Sequence, residues 1–353
     1  YIYFRKSDIE KGLRKMKDKI VTFGEIMLRL SPENNARFTQ CNAFEAVYGG
    51  GEANTAVSLA NFDVDANYVT KLPKHIIGQA AINSLRQYGV GVDHIVRGGD
   101  QIGIYFLEKK TSQRPTNVIY NRAGSAFALA TADDFNWDEI FDGATWFHFS
   151  GITPAISDEM TNICITACQK AKEKGMTVSC DLNYRSKLWS SEKACEAMSR
   201  ICQYVDVCIA NEDDAIGIFS MNPADANGEE KNAYIARELM KKFPFKMVAS
   251  VWRTETSITT FKLQSMIYTE GKAYYSKEFF MHILDYIGAG DAYCAGLIYS
   301  LINSQYISIL FLPVRCNNSF YITIVDRIIH IFMFRVITSH WSVNGHSHYF
   351  SYN

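Results

Sequence analysis

The chain alternates strand-like and helix-like segments over most of its length, and this alternation restricts the fold more than any other feature. An apolar run at residues 19–24 comes first, and a glycine turn at 49–51 leads into a helical pattern. The alternation continues through a predicted strand at 94–96 and a predicted helix at 133–141 to a strand at 247–251. These repeats predict an α/β fold with three layers, in which helices flank a mostly parallel central sheet.

Two stretches depart from this rhythm. Residues 27–47 and 103–122 alternate apolar and polar side chains with a period of two and are interrupted by turns, as antiparallel strands are. Strands of this kind do not belong in a parallel core. We therefore expect a small antiparallel sheet, a lid, that projects over the strand ends where open α/β folds bind ligands.

The composition excludes several classes of protein. Of the 353 residues, 48% are hydrophobic and 21% are charged, which excludes a disordered chain because enough apolar surface is available to offset conformational entropy. The formal net charge of -1 gives no attraction to nucleic acid or to an anionic membrane, so we expect neither as a partner. Nine cysteines without paired Cys-x-x-Cys motifs fit a reducing compartment, which predicts a cytoplasmic location.

The two ends of the chain differ from the rest. Residues 304–353 contain no alanine, lysine or glutamate, yet they hold ten aromatic residues and four of the eight histidines. They are either a divergent C-terminal element or aberrant sequence, such as an out-of-frame segment, joined to a normal body. The first methionine is Met16, so residues 1–15 are predicted to be a non-native extension and residues 16–303 the folded domain.

The motif that most strongly indicates chemistry lies just before a helical pattern of small residues. It consists of Gly288, Ala289, Gly290 and Asp291. Small residues allow the backbone to approach a phosphate closely, and the free N–H groups of a helix start attract the anion. Asp291 is placed to take the proton of a substrate hydroxyl while that oxygen attacks a γ-phosphoryl group. The alternative is an ordinary capped loop in which Asp291 is the N-cap.

Three further motifs carry polar groups that suit small ligands. The glycine turn at 49–54 predicts backbone and amide hydrogen bonds to sugar hydroxyls, or else is only a flexible turn. Asn183 and Arg185 follow a predicted strand and suit phosphate and carboxylate respectively, although Arg185 can equally form a surface salt bridge. The acidic run at 211–214 offers Glu212 as a water-mediated Mg²⁺ ligand, or else is a solvated helix start.

Together these motifs resemble those of the ribokinase-like (PfkB) carbohydrate kinases. The family signature, Asp-x-x-Gly-Ala-Gly-Asp before a helix of small residues, stands here at residues 285–291. Within the family the chain is most similar to the 2-keto-3-deoxygluconate kinases, over about residues 16–303. The matching stretches are VTFGEIMLRLSP (21–32), GGGEANTAVSLA (49–60), GIYFLE (103–108), IYNRAGSA (119–126), HFSGITPA (148–155), SCDLNYRSKLW (179–189) and CIANEDDA (208–215).

The resemblance implies transfer of a phosphoryl group from ATP, with Mg²⁺, to the 6-hydroxyl of 2-dehydro-3-deoxy-D-gluconate. It also implies a homodimer or a higher homo-oligomer formed through the lid. Asp291 would be the base, and the amides of Gly288, Ala289 and Gly290 would hold the anion on the transferred group. The residues implied to line the sugar site are Gly50, Gly51, Glu52, Ala53, Asn54, Tyr105, Tyr120, Arg122 and Arg185. Those implied to contact the nucleotide are Asn183, Arg185, Asn211, Gly288 and Gly290, with Glu212 near Mg²⁺.

The choice of substrate rests on two arginines. An acidic sugar needs a cationic partner, and Arg122 and Arg185 are the two candidates, neither of which a kinase of neutral hexoses requires. Two alternatives stay open. The chain is a kinase of another sugar, of the fructose or ribose type, or a catalytically dead sugar-binding product of a damaged C-terminus.

Overall fold

The computed structural model describes residues 18–111, 114–221, 223, 229–256, 260–282 and 287–303. The strands are β1 (Lys19–Phe23), β2 (Met27–Pro32), β3 (Phe44–Gly49), β4 (Asp65–Val69), β5 (Lys71–Leu72), β6 (Val96–Arg97), β7 (Ile104–Glu108), β8 (Asn117–Asn121), β9 (Ala144–Ser150), β10 (Thr177–Asp181), β11 (Val207–Ile209), β12 (Met247–Glu255), β13 (Thr260–Thr269), β14 (Lys272–Tyr275) and β15 (Phe279–His282). The helices are α1 (Gly51–Ala60), α2 (Ile76–Arg86), α3 (Trp137–Ile140), α4 (Asp158–Glu173), α5 (Ser191–Ile201), α6 (Glu212–Phe219), α7 (Glu229–Lys242) and α8 (Ala289–Asn303). The predicted extension at 1–15 and the tail at 304–353 lie outside the described residues.

Nine of the described strands form the central sheet, in the order β14-β13-β12-β11-β10-β9-β1-β4, with β15 also paired to β13. All neighbours from β4 to β12 are parallel, which confirms the prediction of a mostly parallel sheet. β13, β14 and β15 add an antiparallel edge that the alternation of strands and helices does not reveal. The hairpin from β13 to β14 turns at Glu270 and Gly271, which both have positive φ, as the favoured two-residue turns require.

Two elements are shorter than the sequence pattern predicts. The helix predicted at 133–141 is a 3-10 turn at Ala132–Asp134 followed by the short α3. The break occurs because Asn136 caps a new helix by accepting a hydrogen bond of 3.4 Å from a backbone N–H three residues later. The strand predicted at 94–96 begins only at Val96, where it pairs with β5 in a separate two-stranded sheet.

The lid is a four-stranded sheet in the order β3-β2-β7-β8, separate from the central sheet. The pairs β2–β3 and β7–β8 are antiparallel, as predicted for the two stretches at 27–47 and 103–122. The central pair, β2–β7, is parallel. Each of the two stretches forms its own antiparallel hairpin, β2–β3 and β7–β8. Between the hairpins the chain passes through the body of the protein, and it returns so that β7 runs in the same direction as β2.

Apolar clusters on the two faces of the central sheet produce the three layers. One cluster contains side chains of α3, α4, α5, α6 and α7, and the other contains side chains of α1, α2 and α8. The first includes five buried, unpaired cysteines, namely Cys164, Cys168, Cys180, Cys202 and Cys208. Burial raises the pKa of these thiols, which keeps them protonated and unreactive. None of the helices in the described residues combines the length and the apolar character that crossing a membrane requires.

Candidate active site

The two glycine motifs are far apart in the sequence and meet in the structure. The amide of Asn54, in the first turn of α1, donates a hydrogen bond of 2.7 Å to the carboxylate of Asp291, in the first turn of α8. The hydroxyl of Thr55 donates to the backbone oxygen of Asp291 at 3.3 Å. The starts of α1 and α8 therefore form one site with the candidate base between them.

Asp291 has an environment suited to a base. Its side chain keeps partial contact with solvent. Burial raises the pKa of its carboxyl group to about 6, and the negative charge of Glu52 adds to this rise. The hydrogen bond from Asn54 and the positive charge of Arg185 act in the opposite direction and lower the pKa. A carboxyl group with this pKa is mostly ionised at neutral pH and is also basic enough to accept a proton.

The start of α8 has room for a phosphate group. Gly288 has a φ of 80°, a conformation that favours glycine, and a Cβ atom on Gly290 would meet no other atom within 4 Å. α8 begins at Ala289, and its first N–H groups have no partners within the helix. Asp291 is therefore inside the first turn and is not the N-cap. This open, glycine-lined helix start fits the phosphates of a nucleotide, while residues 285 and 286 of the motif lie outside the described residues.

A close backbone contact explains the glycine turn before α1. Gly50 has an extended backbone with φ of −175°, which any residue adopts, but a Cβ atom there would lie 2.0 Å from the backbone oxygen of Glu25. A Cβ atom on Gly51 would lie 3.4 Å from Oδ1 of Asp291. The absence of side chains thus lets this turn lie against both the rim of the sheet and the candidate base.

The side chains of Glu52 and Ala53 turn inward, so of these two residues, which were expected to line the sugar site, only the backbone is left for that role. Glu52 is 2% exposed and accepts hydrogen bonds from the Ser150 N–H at 2.9 Å, the Ser150 hydroxyl at 2.7 Å and the Thr153 hydroxyl at 2.8 Å. Ala53 packs in the apolar cluster with α8. Both residues lie on the side of α1 that faces the sheet. Through its hydrogen bonds with Ser150, Glu52 connects the glycine turn to the end of β9.

The lid places aromatic side chains near Asp291. Tyr105 and Tyr120 are paired across β7 and β8, and their ring centroids are 5.8 Å apart. The guanidinium carbon of Arg122 lies 6.0 Å from the Tyr120 centroid. Burial raises the pKa of Tyr105 and the negative charge of Asp291 contributes to the rise, so this ring lies within electrostatic reach of the candidate base. The three predicted lid residues are therefore brought together.

Arg122 offers no free positive charge, contrary to its predicted role with a substrate carboxylate. Its side chain is 9% exposed, and its guanidinium forms an ion pair with Glu25 in which Nε donates at 2.7 Å. The hydroxyl of Ser125 donates to the same carboxylate. Glu25 was not among the predicted site residues, and its one signal is its place two residues after β1, near a strand end where ligands bind in such folds.

A second polar group follows β10 and β11. Asn183, with φ of 38°, donates to the carboxyl group of Asp181 at 3.4 Å, and the Tyr184 N–H donates to Asp214 at 2.8 Å. Burial raises the pKa of Asp181 well above its usual value, and the charges of Asp214 and Asp291 add to the rise. Asp181 is the last residue of β10 and Asp214 belongs to the acidic run at 211–214, and neither had a predicted role of its own.

Arg185 keeps an exposed side chain beside these carboxyl groups. Its positive charge lowers the pKa values of Asp181, Asp214 and Asp291, although burial raises all three overall. In the part of the chain that the structure describes, Arg185 forms no ion pair. It is therefore available to an anionic ligand next to Asp291.

Asn211 and Glu212 behave as an ordinary helix start. The Asn211 N–H donates to Asp214 at 3.1 Å, and Glu212 forms an ion pair with Lys231 at 3.1 Å. Among the described residues, no three His, Cys, Asp or Glu side chains are arranged to hold a metal ion. Glu212 is thus paired with Lys231 in this structure, and its water-mediated contact with Mg²⁺ stays a prediction.

Comparisons with known proteins agree with this arrangement. The model of the pfkB family carbohydrate kinases matches residues 17–311. A 2-dehydro-3-deoxygalactonokinase of Haloferax volcanii is 35% identical over 292 residues, which are 82% of this chain and 86% of that protein. The crystal structure of a 2-dehydro-3-deoxygluconokinase from Thermotoga maritima is 47% identical, with a TM-score of 0.78 over 82% of this chain and 89% of that one.

A more distant solved structure has the same architecture. The putative 2-keto-3-deoxygluconate kinase of Enterococcus faecalis is 26% identical, with a TM-score of 0.78 over 93% of this chain and 92% of that one. The family model covers most of the chain, and both glycine motifs lie within the matched residues. The chain therefore belongs to the pfkB family of carbohydrate kinases.

Proposed function

We propose that this carbohydrate kinase transfers the γ-phosphoryl group of ATP to the 6-hydroxyl of 2-dehydro-3-deoxy-D-gluconate. The observation that carries the proposal is the Asp291 carboxylate, held by Asn54 between a side-chain-free turn and an open helix start. The names of the relatives from Thermotoga maritima and Haloferax volcanii support a 2-keto-3-deoxy sugar acid as the acceptor.

The mechanism relies on position and charge. Asn54 occupies Oδ2 of Asp291, which leaves Oδ1, next to Gly51, to receive the proton of the sugar 6-hydroxyl. As that proton leaves, the sugar oxygen bonds to the γ-phosphorus and the bond from phosphorus to the bridging oxygen of ADP breaks. The N–H groups of residues 288–290 stabilise the negative charge on the transferred group.

ATP and Mg²⁺ are proposed as the donor and its metal ion. The open start of α8 accepts the phosphates, and the further proposed contacts are Asn183, Arg185 and Asn211, which follow β10 and β11. Mg²⁺ neutralises phosphate charge when bound. Since the described residues hold no ligand cluster for it, we propose that the ion arrives on the nucleotide rather than in a protein site.

Substrate competition tests the proposed acceptor. The values of kcat/KM are compared for 2-dehydro-3-deoxy-D-gluconate, its galacto epimer, D-fructose and D-ribose. We expect the sugar acids to exceed the neutral sugars by about 100-fold or more, because a site built to bind a polar group discriminates strongly against ligands that lack it. A preference for fructose or ribose would identify the alternative kinase instead.

An ATP titration tests the second alternative, a dead sugar-binding product. The full-length chain is titrated with a non-hydrolysable ATP analogue in a calorimeter, with and without the sugar acid. Binding of the analogue together with turnover supports an active kinase. Sugar binding without any nucleotide binding would show that the site for the donor is not formed.

The pH profile tests the role of Asp291. Because only the ionised carboxylate accepts a proton, kcat/KM for the sugar acid should rise with pH through the pKa of about 6 and then level off. One unit below that pKa we expect about a tenfold loss. Circular dichroism over the same range checks that the protein stays folded. A profile that is flat through this region would contradict the assignment.

We also propose that the outer face of the lid pairs two subunits. Phe44, Phe106 and Ile119 lie on that face, and Phe44 and Ile119 are 40% and 51% exposed. Ile119→Asp should convert a dimer to monomers in sedimentation velocity, because a buried unpaired charge is costly at an apolar interface. Wild-type protein that sediments as a monomer would refute the dimer. The cytosolic location stays a prediction from the cysteine content.

A further inference from the structure

The register of the lid strands aligns a second arginine with the lid tyrosines. Arg29 of β2 is paired with Val47 of β3 and with Tyr105 of β7, and Tyr105 is paired with Tyr120 of β8. Residues directly opposite each other in a sheet project on the same side. Arg29 therefore lies on the same face as the two rings, one of which is in electrostatic reach of Asp291.

Arg29 carries a positive charge that the described residues do not neutralise. Its Nε atom is buried and has no hydrogen-bond partner. No carboxylate in the described residues forms an ion pair with it. Burial raises the pKa of the Tyr105 hydroxyl and the Arg29 guanidinium opposes that rise, so the two polar groups are neighbours. A partly buried cation with an unsatisfied donor is costly unless a ligand supplies the anion.

The two arginines on this face of the lid therefore differ in what they can bind. Arg122 is buried in an ion pair with Glu25, whereas the charge of Arg29 is unused. A sugar acid whose 6-hydroxyl lies at Asp291 has its carboxylate at the opposite end of the carbon chain. Arg185 follows β10 in the body, where its charge lowers the pKa values of Asp181 and Asp214 as well as that of Asp291, so it lies with the body carboxyl groups and not on the lid face that holds Tyr105.

We propose that Arg29, with the Tyr105 hydroxyl beside it, binds the carboxylate of the sugar acid and determines the preference for acidic over neutral sugars. This inference rests on the proposed function, since it assumes that the sugar binds with its 6-hydroxyl at Asp291. Arg29 is a specificity residue in this scheme. The proton transfer at Asp291 does not require it.

Equilibrium binding of two ligands tests the proposal without any turnover. The full-length protein is titrated by calorimetry with 2-dehydro-3-deoxy-D-gluconate and with its C1 carboxamide, which has the same shape and no charge. Arg29→Met should weaken binding of the acid about 10- to 100-fold, as expected for the loss of a charged hydrogen bond. Binding of the carboxamide should change by less than about threefold, because it offers no anion to the guanidinium.

Two further variants separate charge from structure. Arg29→Lys keeps a positive charge and should retain part of the affinity for the acid, although it cannot form the two-pronged contact. Arg37→Met makes the same substitution at an exposed position in the loop between β2 and β3 and should leave both affinities unchanged. Thermal unfolding of each variant verifies that it is folded.

The outcomes are distinct. Selective loss of the acid in Arg29→Met, with partial recovery in Arg29→Lys, supports the proposal. Equal weakening of acid and carboxamide, or full retention of the acid, overturns it and leaves the proposed function intact. If the wild-type protein binds neither ligand, both the inference and the proposed function fail.

Discussion

Asp291→Asn should lower kcat by about 10²- to 10⁴-fold, the range over which a positioned general base accelerates proton transfer. The affinity for the sugar acid should stay within about threefold, because asparagine keeps the size of the side chain and its contact with Asn54. Initial rates with ADP release as the readout, together with calorimetric sugar binding, measure the two quantities separately. Substantial turnover by the variant would refute the assignment of the base.

The same variant should be more stable than the wild type at alkaline pH. The pKa of an aspartate carboxyl group is ordinarily 3.8, and that of Asp291 in the folded chain is about 6. Because the unfolded chain ionises at lower pH than the folded one, the wild type loses stability as pH rises from the first value to the second. Above it, Asp291→Asn should gain about 1–3 kcal/mol in the free energy of unfolding, and the gain should vanish at pH below the ordinary value. Urea unfolding at both extremes tests this, with the exposed Asp133→Asn as the matched control. A less stable variant would mean that lost activity reports damage rather than chemistry.

Gly50→Ala should have the second large effect. The new Cβ atom would lie 2.0 Å from the backbone oxygen of Glu25, and backbone cannot yield as a flexible side chain does. We expect a loss of about 3 kcal/mol or more in the free energy of unfolding, or a shifted turn with failed sugar binding, because overpacking of this kind displaces main chain. Urea unfolding and sugar titration distinguish the two results.

Gly290→Ala is the control for that experiment. Its Cβ atom would meet nothing within 4 Å, and its φ is outside the positive range that favours glycine, so its stability should match the wild type. Its nucleotide affinity should nevertheless fall, because the methyl group occupies the space proposed for a phosphate. Wild-type stability and sugar binding in Gly50→Ala would contradict the close contact.

Local patterns predicted the elements and the positions of the polar motifs, because hydrophobic periodicity and glycine turns are properties of neighbouring residues. They indicated Asp291 and Asn54, which follow glycines at helix starts, and Asn183 and Arg185, which follow β10. The antiparallel β13–β14 hairpin had a readable signal as well. Apolar and polar residues alternate from 261 to 264, and Glu270-Gly271 offers a turn before β14, all within one short stretch of sequence.

Other features depend on partners far away in the chain. Nothing near Arg122 in the sequence reveals that Glu25, 97 residues away, neutralises it, and that pairing changes which arginine is available to a substrate. Glu52 looked like a sugar ligand because it follows three glycines. However, side chains in the first turn of a helix can face either the central sheet, which is the inner side, or the ligand site, which is the outer side. Only the packed position of Ser150 shows that Glu52 is on the inner one.

The connections of the lid tie its movement to the shape of the sugar pocket. Three residues, Gly24 to Ile26, join β1 to β2, and the single residue Gly50 joins β3 to α1. These two joints contact each other where Gly50 lies against the backbone of Glu25, and the side chain of Glu25 also forms the ion pair with Arg122. Two of the connections between the lid and the body therefore lie against each other, next to the candidate base. A movement of β2 or β3 would displace the backbone at Glu25 and Gly50, and with it the turn that precedes Asn54, so the position of the lid and the geometry around Asp291 are coupled.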